Sequence, residues 1–260
     1  MNRRISLWGM WAVLGSGILG ITILSAAEED LSSSKTAPPV RIELRGRNGD
    51  VTSDGSGVKY LSGGTIEVTQ PRGDQLVIMM SGYAAAGGIP AQDSLAALTF
   101  QLQQDFRIVT SRIDIKDVKL SMEGSLIGQL QCNRPGSGTA AIVSPACAHI
   151  RAGTAELLNL SFDPRVHSTP NIKFINDNHD PVSIIVRTGD FTLTENFAIE
   201  AKHPKKHFKK NVAIAAFGPE GRAPDWLGLL DPYRDVPKQK DLGFRISLKV
   251  EKAPITKKLK

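Results

Sequence analysis

Recognisable catalytic signatures are missing from this 260-residue chain: it has no G-x-S-x-G elbow and no His-Glu-x-x-His helix. Cysteine is scarce. The two present, Cys132 and Cys147, are too far apart for a Cys-x-x-Cys redox or zinc motif. No cysteine closes the N-terminal apolar run, which argues against a lipoprotein anchor. Aromatic residues make up only 6%, and Trp226 is the sole tryptophan beyond residue 27, which limits any sugar-stacking platform. Sustained helical periodicity is absent, and so is any internal repeat at fixed spacing. Carboxylate pairs for glycoside hydrolysis come from distant strands and leave no local spacing, so the question of enzymatic activity stays open, with the weight on a non-enzyme.

What the chain does have begins with an export signal. Arg3 and Arg4 precede an uncharged run from Ile5 to Leu24, followed by small residues Ser25-Ala26-Ala27 and then Glu28-Glu29-Asp30. The run is long enough to span a bilayer, so residues 1–27 are either a cleaved signal peptide or an uncleaved N-terminal anchor. The glycines within the run and its small-residue exit favour cleavage after Ala27. Both readings place the protein outside the cytoplasm, as a secreted, periplasmic or surface protein, with membrane contact only through an uncleaved N-terminal segment. Residues 28–39 are polar, end in Pro38-Pro39 and form a flexible linker. Residues 40–252 form one domain, and residues 253–260 a basic C-terminal tail. Without residues 1–27 the net charge is about +4, too mild for a nucleic-acid binder.

Period-two alternation dominates the domain. Val40, Ile42 and Leu44 alternate with Arg41, Glu43 and Arg45. Leu98, Phe100, Leu102, Phe106 and Ile108 share one parity, as do Val118, Leu120 and Met122, and Leu242 through Val250. Further strands are expected at 65–70, 75–83, 139–143, 156–162, 171–175, 182–187, 191–201 and 211–217. Turns are expected at Asn48-Gly49-Asp50, Ser62-Gly63-Gly64, Arg72-Gly73-Asp74, Pro135-Gly136 and Gly189-Asp190. Short helices fit Pro90–Ala97 and Pro224–Tyr233. The pattern predicts an all-β, two-sheet antiparallel sandwich of immunoglobulin-like or Greek-key type, with a jelly roll as the alternative.

Six features are candidates for function. In an oxidising compartment, Cys132 and Cys147 are expected to pair as a disulfide. The stretch Lys202-His203-Pro204-Lys205-Lys206-His207-Phe208-Lys209-Lys210 puts five lysines in nine residues. Lys202, Lys205, Lys206, Lys209 and Lys210 could hold an acidic polysaccharide, or simply keep a loop soluble. Trp226 and Tyr233 could stack on a glycan, or cap one end of the sandwich. Asn176, Asn178 and Asp180 place oxygen ligands at alternate positions as a calcium loop does, against the plainer reading of an Asn/Asp-rich turn before Pro181. Arg72-Gly73-Asp74 is an adhesion tripeptide, but sits where a hairpin needs its turn. Gly136-Ser137-Gly138-Thr139-Ala140-Ala141 lacks the βαβ frame of a dinucleotide fingerprint. No other cofactor or metal site is indicated. The leading expectation is an exported, non-catalytic β-sandwich with a structural, adhesive or binding role at the cell envelope. The alternatives are a carbohydrate-active module, which binds, cleaves or hydrolyses glycans on a jelly roll, and an accessory subunit that pairs with another envelope protein through an edge strand.

Overall fold

The computed structural model describes residues 38–57, 59–88, 93–132, 138–162, 173–203, 211–218 and 242–254. Eleven strands fill them: β1 (Val40–Gly57), β2 (Lys59–Arg72), β3 (Gln75–Gly88), β4 (Ser94–Thr110), β5 (Asp117–Cys132), β6 (Thr139–Ala152), β7 (Ala155–Phe162), β8 (Lys173–Arg187), β9 (Gly189–His203), β10 (Asn211–Phe217) and β11 (Gly243–Lys252). One sheet has the order β1-β4-β9-β6-β7. The other runs β10-β3-β11-β5-β8, with β2 on the far side of β3 and β10 also paired to β5. All pairings are antiparallel. The chain is therefore the two-sheet sandwich that the alternation predicts.

Alternation works because each strand has one face in the core. Along β4 the even-numbered side chains from Ser94 to Ile108 are buried, while Gln101, Gln103 and Arg107 face solvent. The two inner faces interlock large against small. Phe197 of β9 stacks on Phe100 at 5.8 Å and meets Phe217 edge-on at 5.2 Å and Phe244 at 6.0 Å, so its ring touches both sheets. Glycines facing or flanking the rings make the room. A Cβ on Gly64 would lie 2.7 Å from the Phe100 ring, and one on Gly128 would lie 2.3 Å from Phe217.

This use of glycine explains two expected turns that are absent. Asn48-Gly49-Asp50 lies inside β1, where a Cβ on Gly49 would come within 2.9 Å of Leu102. Ser62-Gly63-Gly64 lies inside β2, with Gly64 beneath Phe100. Both glycine-bearing stretches serve close approach between elements rather than chain reversal. Arg72-Gly73-Asp74 does form the β2–β3 turn. The helix expected at Pro90–Ala97 is replaced from Ser94 onward by β4, since Ser94 and Ala96 continue the inward parity of Leu98. The segment Pro224–Tyr233 lies outside the described residues.

β10 and β11 occupy a single strand position. Phe217 pairs with Gly82 and Phe244 with Met80, so the chain leaves the sheet and re-enters it one rung later, in the same direction. The re-entry needs glycine: Gly243 has φ of 139°, and a Cβ there would sit 2.5 Å from the Met80 carbonyl oxygen. β10 is apolar on both faces. Ala213, Ala215 and Phe217 join the main core, while Val212, Ile214 and Ala216 join Ala85 and Leu242 in a second, smaller cluster.

The sandwich has two unlike ends. At one end lie the short connections β2–β3, β4–β5, β6–β7 and β8–β9, together with the start of β1 and the end of β11. At the other end lie the strand termini Gly88, Ser94, Cys132, Thr139, His203 and Asn211, which flank residues 89–92, 133–137 and 204–210.

Because Phe197 bridges the sheets, Phe197→Ala is expected to cost about 3–5 kcal/mol in urea unfolding. Gly128→Ala, which overpacks the Phe217 ring, is expected to cost about 1–3 kcal/mol. A surface control such as Gln101→Ala should stay within about 0.5 kcal/mol of the parent.

Candidate functional site

The outer face of the five-stranded sheet carries a lattice of polar side chains, mostly neutral, with Asp50 among them. Asn48, Gln103, Thr194, His149 and Asn159 form one row across β1, β4, β9, β6 and β7. Asp50, Gln101, Asn196, Cys147 and Ser161 form the next row. Neighbours within a row are about 4.8 Å apart, and successive rows about 6.6 Å. Register shifts at Leu44/Arg47 in β1, and at Ile142/Ser144 and Ser144/Cys147 in β6, bend two of these strands. Between them the face dips into a depression of about 330 Å³ over Gln101, Gln103, Thr194, Asn196 and His149.

Beside the depression, His149 is held by its neighbours. Its Nδ1 lies 3.2 Å from Glu156 Oε2, and Asn159 Nδ2 donates to Glu156 Oε1 at 3.4 Å. Thr192 donates to Asp105 at 2.7 Å in the adjoining row. The result is a positioned set of amide, hydroxyl and imidazole groups. Such a set can exchange hydrogen bonds with a hydroxyl-rich ligand lying across the strands.

Glu195 lies beneath the depression, on the opposite side of β9, between the core residues Leu193 and Phe197. It is 3% exposed, and neither carboxyl oxygen has a hydrogen-bond partner. Burial without compensation pushes its pKa well above the usual carboxylate range, so the neutral acid is favoured. Its signal in the sequence was its parity, since Phe191, Leu193, Phe197 and Ile199 share it. Because its carboxyl points into the core, it cannot pair with Asp50 across the depression as a hydrolase dyad would require.

A second depression of about 260 Å³ lies on the six-stranded sheet over Glu123, Ser125, Asn178, His179, Arg245 and Ser247. Only one of the three expected calcium ligands, Asn178, reaches it. The turn expected at 176–180 is not formed, because β8 continues through these residues, with a register shift against β5 at Asp180-Pro181. A strand sets Asn176 and Asn178 about 6.6 Å apart, whereas a calcium loop curls its ligands around the ion. Asn178 instead donates to Asn176 at 3.0 Å, and His179 packs edge-on against Phe162 at 4.4 Å. Among the described residues, no group of three or more His, Cys, Asp or Glu side chains converges on a common point.

The expected disulfide is not formed. Cys132 ends β5 in the six-stranded sheet, paired with Ala213, while Cys147 sits in β6 of the other sheet, paired with Ser161 and Asn196. Gly138 lies against Ala213 and hence beside the Cys132 rung. Cys147 is nine residues farther along β6, on the order of 25–30 Å away. A disulfide needs about 5.5 Å between Cα atoms. Short sequence separation misleads here because β6 carries the second cysteine away. Cys147 Sγ instead lies 3.4 Å from Ser161 Oγ.

The strand β9 runs two residues into the basic stretch. Lys202 is exposed and ion-paired to Glu200 at 2.6 Å, and His203 is buried. Lys205, Lys206, Lys209 and Lys210 lie outside the described residues, as do Trp226 and Tyr233. No protein-family model matches the chain, and no curated protein matches it either.

Two outcomes follow. Glu195 keeps its proton in the folded protein at pH values where the unfolded chain has lost it, so this group destabilises the fold as pH rises from about 4.5 toward its folded pKa. Glu195→Leu should make stability fall less with rising pH than in the parent, in denaturant titrations run upward from pH 5. A thiol reagent should modify Cys147 in the native protein and both cysteines after unfolding, with no reductant added.

Proposed function

We infer that this chain is an exported, non-catalytic β-sandwich that acts as a binding module at the cell envelope. The export part rests on residues 1–27. The binding part rests on one observation: a bent sheet face on which hydrogen-bonding side chains, neutral apart from Asp50, stand in register across all five strands. That face suits a neutral, hydroxyl-rich partner such as a glycan strand. It has no aromatic platform among its described residues, so recognition depends on hydrogen bonds made in parallel rather than on ring stacking. A filled core and the inward carboxyl of Glu195 support binding over hydrolysis. Pairing through an edge strand has less support. β8 is exposed along most of its length, but Pro181 lacks an N–H, and Lys173, Asp177, Asp180 and Arg187 place charges along it.

The test compares the parent, a Gln103→Ala/Asn196→Ala variant and a variant with Lys205, Lys206, Lys209 and Lys210 changed to Gln, on an array of neutral and acidic oligosaccharides. The face variant should lose about tenfold or more in affinity for a neutral glycan, on the scale of two lost hydrogen bonds, with thermal stability unchanged. Binding to acidic glycans only, lost in the lysine variant and kept in the face variant, would replace this reading with polyanion capture.

A further inference from the structure

Every strand of the five-stranded sheet contributes one hydrogen-bonding side chain to each polar row, from Asn48 and Asp50 on β1 to Asn159 and Ser161 on β7. The thiol of Cys147, on β6, is the weakest donor among them. The two rows border a lane about 6.6 Å wide, with a fresh pair of side chains about every 4.8 Å along it. Over five strands the lane runs about 19 Å, and the depression lies along it.

The charges beside the lane are held by their neighbours. In the next row, Asp105 accepts from Thr192 at 2.7 Å, and Glu156 is met by His149 at 3.2 Å and by Arg151 at 3.9 Å. On the other side stand Thr52, Thr99, Ala198 and Ser144, which carry no charge. Asp50 is the one carboxylate within the lane, and Thr52 donates to it at 3.1 Å. Its oxygens only accept, so the β1 end favours hydroxyl donors and opposes a carboxylate-bearing sugar.

A ligand that fills such a lane must repeat at the strand spacing and carry hydrogen-bonding groups along both edges. An extended peptide advances about 3.4 Å per residue and falls out of step with the strands within two residues. A glycan whose linkage coils the chain, as an α-1,4 linkage does, lifts away from the sheet. A β-1,4-linked chain is an extended ribbon that advances by nearly one strand spacing per sugar, with hydroxyl groups on both edges. Resting on the reading of this face as the binding surface, we propose that its ligand is a single β-1,4-linked glycan chain laid across the strands. One sugar sits on each of the five strands, and the two edges of the ribbon bond to the two rows. Sheets twist by roughly 20–25° from strand to strand, so the lane turns along its length. A single soluble chain follows that turn, whereas a flat crystalline surface does not.

The test is calorimetric titration of the full chain with β-1,4-linked oligosaccharides of glucose, N-acetylglucosamine, mannose and xylose, two to six sugars long. Oligosaccharides of α-1,4-linked glucose of the same lengths run beside them. In at least one β-1,4 series, affinity should rise about threefold or more with each added sugar, on the scale of one hydrogen bond, and level off at five. The α-1,4 series should stay about tenfold weaker or more at five sugars, on the scale of two lost hydrogen bonds. Asn159→Ala/Ser161→Ala, which removes the β7 end of the lane, should make the β-1,4 series level off at four and leave four-sugar binding unchanged. Equal affinity for the α-1,4 and β-1,4 series would overturn the proposal while leaving the face a glycan-binding surface, as would levelling off at four sugars or fewer in the parent. Absence of binding to every one of these neutral oligosaccharides would overturn the binding role of the face as well.

Discussion

The ring of Phe197 sets the spacing on which the sandwich depends. It belongs to β9, at the middle of the five-stranded sheet, yet it touches Phe217 and Phe244 of the other sheet as well as Phe100 of its own. Large rings on one face can approach a second sheet only where that sheet has no side chain, and Gly64 provides that gap for Phe100, while Gly128 makes room for Phe217 within its own sheet. The register of both sheets is thereby locked. Sliding either by one residue would drive a Cβ into a ring and turn the polar face of the five-stranded sheet inward.

Fixing the inner faces also fixes the outer ones. A strand alternates without choice, so once Phe100, Leu102 and Phe197 point inward, Gln101, Gln103, Thr194 and Asn196 must stand together outside. The same geometry accounts for two of the polar residues that break the inner pattern. Gln104 is buried at the β1 bulge and donates to the Gly46 and Asp105 carbonyls at 3.2 and 2.8 Å, so its polarity is used. Glu195 has no such partner and is held neutral instead.

Much of this architecture was legible in the sequence because alternation depends on neighbours only two residues apart. Strands such as β4, β5 and β11 showed it plainly. Features set by contact across the sandwich were not legible. Gly49 and Gly64 carry ordinary turn chemistry locally, and only the distant Leu102 and Phe100 reveal their use. Cys132 and Cys147 are close in the chain, but which sheet each joins is decided by partners far along it. Asn176 to Asp180 has the composition of a turn, yet β5 recruits it as an edge strand. For the site, the residue types of the polar face were visible one strand at a time. Their registration into rows required the pairing of five strands, and no local pattern encodes that.

The shared strand position of β10 and β11 bears on when the fold can complete. The centre of the six-stranded sheet is made partly from residues 243–252, the last of the described strands, and β3 and β5 have no common partner along most of their length until that segment docks. Until β11 docks between β3 and β5 the core cannot close, and the cooperative transition waits for that one segment.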